Sequence, residues 1–366
     1  MGTVLWNVEI GDSKRGYWST NAPLIIRNHL IAGVSGDFDN LPGILKSFDP
    51  ATGALQWTFY STQPGGTTSE GATGGQMWMT GTYDPELNLL YVGTGNPTPV
   101  LNGVARKGDN KWTGSILALN PDTGTLAWGF QAVPHDTHDW DAAEVPVLVD
   151  ATFRGDARKL LLQASRNGYF FVLDRTTGKN LLTTPFATVN WTKGIDAEGR
   201  PVPDPKKEPS RDGVLIAPNE SGATNYRSPS FDAKTGLLIV SAHDGYGIYF
   251  FKPEHGEYGW AGADYNLFGK GVLRAIDYRT GKIRWSHDLG DGPSAAGVLT
   301  TESGVTFSGD SVGNALALRT SDGATLWHSG IGRVGNAPIT YELDGRQYVL
   351  IGGGSALYAW ALPQSK

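Results

Sequence analysis

One phrase, met five times along the chain, constrains the fold more than any other feature. A short apolar strand pattern leads into a turn centred on Thr-Gly or Asp-Gly, and a second strand follows, usually closed by Trp. The copies are "LKSFDPATGALQW" (45–57), "ILALNPDTGTLAW" (116–128), "FVLDRTTGKNLL" (171–182), "LRAIDYRTGKIRW" (273–285) and "LALRTSDGATLW" (316–327). Gly supplies the positive φ that a hairpin turn demands. In each copy an Asp or Asn ahead of it can bond the turn backbone. The Trp is then placed to pack between neighbouring units, and "GTVLW" (2–6) reads as the tail of a further copy.

Trp285 and Trp327 stand 42 residues apart, about the length of one four-stranded propeller blade. Trp57 and Trp128 stand 71 apart, so that interval holds an insertion. "YDPELNLLYVGTG" (83–95) and "FDAKTGLLIVSAH" (231–243) read as the inner hairpins of their blades. The expected fold class is therefore all-β, a β-propeller of about six blade-like repeats, forming a single propeller domain over residues 1–366. Five blades are expected between about 20 and 330, and the strands in 337–362 make a last set one strand short. The segment 3–10 is an orphan strand. It either closes the ring by joining the C-terminal blade or belongs to an open ring cut from a longer protein. Segment 184–224, rich in Pro and Lys, is expected to be a long surface excursion.

Composition removes several function classes. The 366 residues include no Cys, which excludes thiol catalysis and thiolate metal sites. Thirty Lys and Arg against 36 Asp and Glu give a formal net charge of -6 without a basic patch, which argues against nucleic acid as a partner. No apolar run reaches the roughly 18 residues of a membrane span. The N-terminal "MGTVLWNVEIGD" has neither the basic nor the long apolar region of a signal peptide.

Charge is concentrated in "VPHDTHDWDAAE" (133–144), where two His, three Asp and a Glu follow the apolar "LAWGFQ". Together with "STNAPLIIRNHLIAGVSG" (19–36), "MWMTGTYDPELNLLYVGTGNPTPVLNG" (77–103), "RKGDNKWTGSILALNPDTG" (106–124), "SRNGYFFVLDRTTG" (165–178), "GATNY" (222–226) and "GRQYV" (345–349), it resembles the pyrroloquinoline quinone (PQQ)-dependent alcohol dehydrogenases of the methanol and ethanol type. The resemblance covers nearly the whole chain and rests on the order and spacing of these motifs together. It implies an eight-bladed propeller with PQQ and a metal on its axis, of which this chain looks like a form without the first blades.

The resemblance implies a dehydrogenase that oxidises an alcohol to an aldehyde. PQQ accepts a hydride at a quinone carbonyl carbon, a metal ion polarises that carbonyl as a Lewis acid, and a carboxylate takes the hydroxyl proton. Asp139 matches the general base. Asn96, in "GTGNP", matches a metal ligand whose amide oxygen suits a hard cation such as Ca²⁺. Asp141 resembles the additional carboxylate of lanthanide-using members. On a strand, residues two apart face the same way, so Asp139 and Asp141 are expected to reach one ion. Trp78 matches the aromatic floor under the PQQ ring. Arg166 matches the arginine at the reactive carbonyl, with catalytic and cofactor-binding roles. Thr20, Ser35 and Asn225 match positions that hydrogen-bond the cofactor. His135 and His138 match no ligands and are read as structural, with Asp136 in the turn.

Departures from the family pattern are also visible. Where a metal-binding Glu is expected after Ser35, an ungapped register places Phe38, with Asp37 and Asp39 beside it. Ala295 stands where a cofactor-flanking Trp is expected. The vicinal disulfide, a Cys-bound haem, and an Arg and a Glu of the N-terminal blades have no counterpart. The implied partners are a small alcohol and a separate soluble cytochrome c as electron acceptor, with a homodimer left open, and the implied compartment is the periplasm. Two alternatives stand beside this reading: a non-catalytic propeller that acts as a binding scaffold, and a truncated relative that folds but binds the cofactor weakly.

Overall fold

A computed structural model describes residues 2–36, 41–62, 73–252 and 260–363. Among the described residues six antiparallel blade sheets follow one another along the chain, with two short two-stranded ribbons beside them. The first four-stranded blade runs from Leu24–Ile26 to Leu55–Tyr60, the second from Thr82–Asp84 to Leu126–Gln131 and the third from Val147–Phe153 to Asn180–Pro185. In the fourth, Ser230–Asp232 and Val214–Ile216 both pair with the long strand Leu237–Phe251, which continues into Gly262–Asp277 and Ile283–Asp291. A four-stranded fifth blade ends at Thr325–Gly330, and a three-stranded sixth covers Ile339–Leu343, Arg346–Gly353 and Ala356–Trp360. The blade count and the missing last strand agree with the repeat pattern in the sequence.

Each repeat Gly does two jobs. Gly53, Gly124, Gly178 and Gly323 have φ of 72–75°, which strains a residue with a Cβ. A Cβ on Gly124, Gly178 or Gly323 would also lie 2.5–2.6 Å from the ring of Trp57, Trp128 or Trp285 of the preceding blade. Those indoles donate their N–H to Pro121 O, Arg175 O and Thr320 O at 2.8–3.1 Å. In the third blade, whose repeat has no Trp, Thr184 occupies this position against Gly281. The apolar clusters accordingly join blades in sequence. Leu45 and Trp57 meet Leu90 and Leu117, Ile116 meets Phe171, Phe170 meets Leu238, and Leu273 and Trp285 meet Leu316.

Two expectations need correction. Segment 3–10 forms no strand and does not pair with the last blade. Trp6 instead packs on Gly53 of the first blade and donates its indole N–H to Pro50 O at 3.0 Å. It thus repeats the Trp-on-Gly contact of the other blades, which fixes its neighbour as the first blade. Segment 184–224 is not merely a surface excursion. It carries a ribbon of Thr192–Ile195 and Pro201–Pro203 and contributes Trp191 and Ile216 to the core, because these apolar side chains have Tyr169 and Tyr249 to pack against.

Candidate active site

The connectivity gathers the site at one end of the blades. In a four-stranded antiparallel blade, the turn between the second and third strands and the connection from the last strand to the next blade lie at the same end. The Thr-Gly turns lie at the other. Connections that enter blades one to four carry Thr20, Trp78, the Asp139–Asp141 pair and Asn225 in turn, while the loops between second and third strands carry Ser35, Asn96 and Arg166. Residues spread over about two hundred positions are therefore delivered to one face.

Arg166 is the hub. Its Nη1 donates to Asp141 Oδ2 at 2.9 Å and its Nη2 to Asp139 Oδ2 at 2.9 Å. Nη2 also meets Glu220 O at 2.7 Å and Glu220 Oε1 at 3.2 Å. The side chains of Arg166, Asp139 and Asp141 are 5%, 11% and 5% exposed, so these are charge pairs held largely out of water. Asp141 also accepts the Trp78 indole N–H at 2.9 Å and the Asn96 backbone N–H at 2.6 Å. Burial pushes its carboxyl upward, against the pull of Arg166 and these two donors. The carboxylates raise the affinity of Arg166 for its proton despite burial. Thr20 Oγ1 meets Ser35 Oγ and Trp78 O, both at 3.1 Å. Seven of the eight candidates therefore form one bonded chain. The eighth, Asn225, turns its side chain to its own loop, donating to Ser221 O at 3.0 Å and accepting from Tyr226 N at 2.8 Å.

The Asp139–Asp141 segment is not a strand, contrary to the geometry expected for it. Asp139 has φ 66°, a left-handed conformation that an Asp adopts at a cost. Asp136 fixes this turn by accepting His138 N at 3.0 Å and Trp140 N at 2.9 Å, the amides on either side of Asp139. Arg106, wholly buried, donates to Asp136 O, Val100 O and Asn110 Oδ1 and supplies the opposite charge. Burial nevertheless lifts the Asp136 carboxyl to about 6. His138 stacks on Trp140 with ring centroids 4.5 Å apart, and burial lowers its pKa to about 3, so it is a neutral packing group. Trp140 anchors through its indole N–H to Asn219 O at 3.1 Å. Asp139 and Asp141 converge because both flanks of the loop are pinned.

Sequence reasoning missed Glu220 and Glu144. Glu220 lies two residues ahead of the "GATNY" motif, but its partner Arg166 is 54 positions away. Glu144 accepts Arg166 N at 3.2 Å and Ser165 Oγ at 3.3 Å, and burial raises its pKa to about 8. Its place three residues after Asp141 was the available signal. The expected ligand position around Asp37, Phe38 and Asp39 lies outside the described residues. Ala295 is buried in the connection that enters the fifth blade.

These residues fit a hard cation and a flat polyanionic cofactor. Asp139 and Asp141 bring two carboxylates together on Arg166, and Asn96 lies beside them through its backbone N–H on Asp141; carboxylate and amide oxygens, without sulfur or imidazole, are the donor types that suit Ca²⁺ or a larger trivalent ion. Among the described residues no group of three or more His, Asp or Glu gathers to hold a metal. Arg166 Nε is buried without a partner, an unspent donor at the centre of the cluster.

Residues 1–193 match the family described as glucose/ethanol/alcohol dehydrogenase, beta-propeller domain, and residues 269–359 match the outer membrane protein assembly factor BamB family. The chain is 34% identical to the quinoprotein alcohol dehydrogenase PedH of Pseudomonas putida, over 98% of this chain and 67% of that protein. It is 32% identical to the lanthanide-dependent methanol dehydrogenase of Methylacidiphilum fumariolicum, over 96% of this chain and 64% of that protein. A europium-containing methanol dehydrogenase structure superposes with a TM-score of 0.87 at 30% identity, over 96% of this chain and 68% of the other. Across four further curated relatives and PedH, the chain spans 56–68% of their length.

Proposed function

We propose that this chain, which belongs to the β-propeller family of PQQ-dependent alcohol dehydrogenases, oxidises an alcohol to an aldehyde with PQQ and a Ca²⁺ or lanthanide ion. PQQ bound here would supply the hydride-accepting carbonyl, and the metal ion the Lewis acidity. Asp139 is the general base that takes the hydroxyl proton on its carboxylate. Arg166 orients that carboxylate and steadies negative charge on the quinone oxygen. Asn96, Asp139 and Asp141 hold the metal. Trp78, with Thr20 bonded to its backbone and Ser35 bonded to Thr20, provides the cofactor's floor and edge, and Asn225 is assigned a hydrogen bond to the cofactor by the family resemblance alone.

The observation that carries this reading is the paired clamp of Arg166 on Asp139 and Asp141, both 2.9 Å away, beside the Trp78 indole. Asp139, Asp141 and Glu220 share one cation while Glu144, raised to about 8, stays neutral at pH 7 and leaves the guanidinium charge to them. This separates a carboxylate able to accept a proton from one that already holds it. Asp141 adds anionic charge for a trivalent ion, in keeping with relatives named as lanthanide-dependent methanol dehydrogenases. A soluble cytochrome c is the proposed electron acceptor, as in the relative named methanol dehydrogenase (cytochrome c) subunit 1, and the periplasm the proposed compartment.

Asp139→Asn tests the reading. With PQQ and either metal, the variant should lose alcohol-driven dye reduction by at least about a hundredfold, the ordinary share of a general base, while its circular dichroism stays that of the parent. Full turnover by Asp139→Asn would remove Asp139 from the reaction. The match of residues 269–359 to the BamB family favours a second reading, a non-catalytic binding scaffold. That reading expects no PQQ binding at all.

A further inference from the structure

The connections that assemble the site also deliver two arginines that the reaction above does not use. Arg227 lies two residues after Asn225 in the connection that enters the fourth blade, and Arg333 lies in the one that enters the sixth. Backbone bonds lace these connections to the one between them: Val298 N donates to Ser228 O at 2.9 Å, and Gly297 N donates to Asn336 O at 3.3 Å. The same loop is tied to the hub, because Ala223 N donates to Arg166 O at 2.8 Å. Arg227 therefore stands on the face that carries Arg166.

Arg227 is half-buried, and its Nε is shielded from solvent without a hydrogen-bond partner. Its guanidinium lies 5.2 Å from the ring of its neighbour Tyr226. No carboxylate among the described residues pairs with it. Burial weakens its hold on its proton, and the like charges of Arg166 and Arg333 act the same way, opposed only by the neighbouring Tyr226 hydroxyl. His243 also faces it. Arg166 has three carboxylates to answer it, whereas Arg227 has none. A desolvated cation without an anion is costly, and a planar guanidinium with an unspent N–H is shaped to take a carboxylate in two parallel bonds.

We infer that Arg227, with Arg333 alongside, forms a carboxylate-binding subsite on this face. It rests on the proposed function in one respect: PQQ bears three carboxylates and is the polyanion expected here. A carboxylate-bearing alcohol has the same recognition chemistry, so the experiment separates the two sources.

The test uses the full chain and the variants Arg227→Gln and Arg227→Lys. PQQ binding with La³⁺ is followed by tryptophan fluorescence, and benzene-1,3,5-tricarboxylate binding without metal by thermal shift. Arg227→Gln should weaken both ligands about tenfold or more, the scale of one lost charge-assisted hydrogen bond. Arg227→Lys, which keeps charge but not the planar fork, should fall between. Without ligand, Arg227→Gln should melt no lower than the parent, since it relieves repulsion among like charges. Competition between the tricarboxylate and PQQ assigns the subsite to the cofactor; tricarboxylate binding to the PQQ-loaded chain assigns it to substrate. If PQQ fails to bind the parent while the tricarboxylate binds through Arg227, the proposed function falls and the subsite stands. Unchanged affinities in Arg227→Gln, a lower melting point for that variant without ligand, or a parent that binds neither compound would overturn the subsite.

Discussion

Glu144 offers a measurement that reads the electrostatics of the site without any cofactor. Its carboxyl is buried between Ser165 and the Arg166 backbone, and burial lifts its pKa from 4.5 to about 8. A carboxyl whose folded pKa is raised holds its proton better in the folded chain than in the unfolded one. Its contribution to stability is complete below 4.5 and is lost as pH rises through about 8. At about 1.36 kcal/mol per pKa unit, the full span is roughly 5 kcal/mol, of which about 2 kcal/mol falls between pH 6.5 and 9. Glu144→Gln keeps shape and an acceptor for Arg166 N but cannot ionise. Urea unfolding of parent and variant, followed by tryptophan fluorescence at both pH values, gives the difference in slope directly. Groups other than Glu144 largely cancel in that difference. The variant should lose about 2 kcal/mol less than the parent over the interval and be the more stable protein at pH 9. Equal slopes, or a variant less stable at pH 9, would refute the claim that a neutral Glu144 lies behind Arg166.

Two further outcomes follow from the same geometry. Asp141→Ala removes an anionic oxygen from the metal group and leaves the Trp78 indole N–H and Asn96 N without their acceptor. PQQ-dependent binding of La³⁺ should weaken far more than that of Ca²⁺, as read by metal titration, and equal weakening would dismiss Asp141 as the residue that sets metal charge. Asp136→Ala strips the acceptor from two buried amides and the counter-charge from Arg106. Unfolding stability at pH 7 should drop by about 2–4 kcal/mol, the scale of two buried donors left without their acceptor, whereas a drop under about 1 kcal/mol would mean that the turn at Asp139 holds without it.

The hairpin repeat made the architecture legible because one residue type answers two needs. Gly124 must adopt positive φ and must also lie bare under Trp57, so both requirements leave the same mark in the sequence. The family resemblance then implied that Trp78, Asp139 and Arg166 would share one site. What the sequence hid was contact between distant loops and departure from regular backbone. Glu220 reaches Arg166 across 54 positions, and nothing local to either residue marks that pairing. Asp139 and Asp141 were expected to face together as strand neighbours. They do converge, but through a left-handed Asp139 that Asp136, Arg106 and Trp140 hold in place. Segment 3–10 has the composition of a strand, yet Trp6 packs on the Gly53 turn and not on a sheet edge.

The most direct test of the account is a PQQ titration of the purified chain with Ca²⁺ and, separately, with La³⁺, following tryptophan fluorescence and ethanol-driven dye reduction together. Quenching accompanied by dye reduction is the predicted result, with Trp78→Ala losing most of the quench because its indole is the proposed floor of the cofactor ring. No quenching with either metal would contradict the account and leave this chain a propeller that binds no quinone.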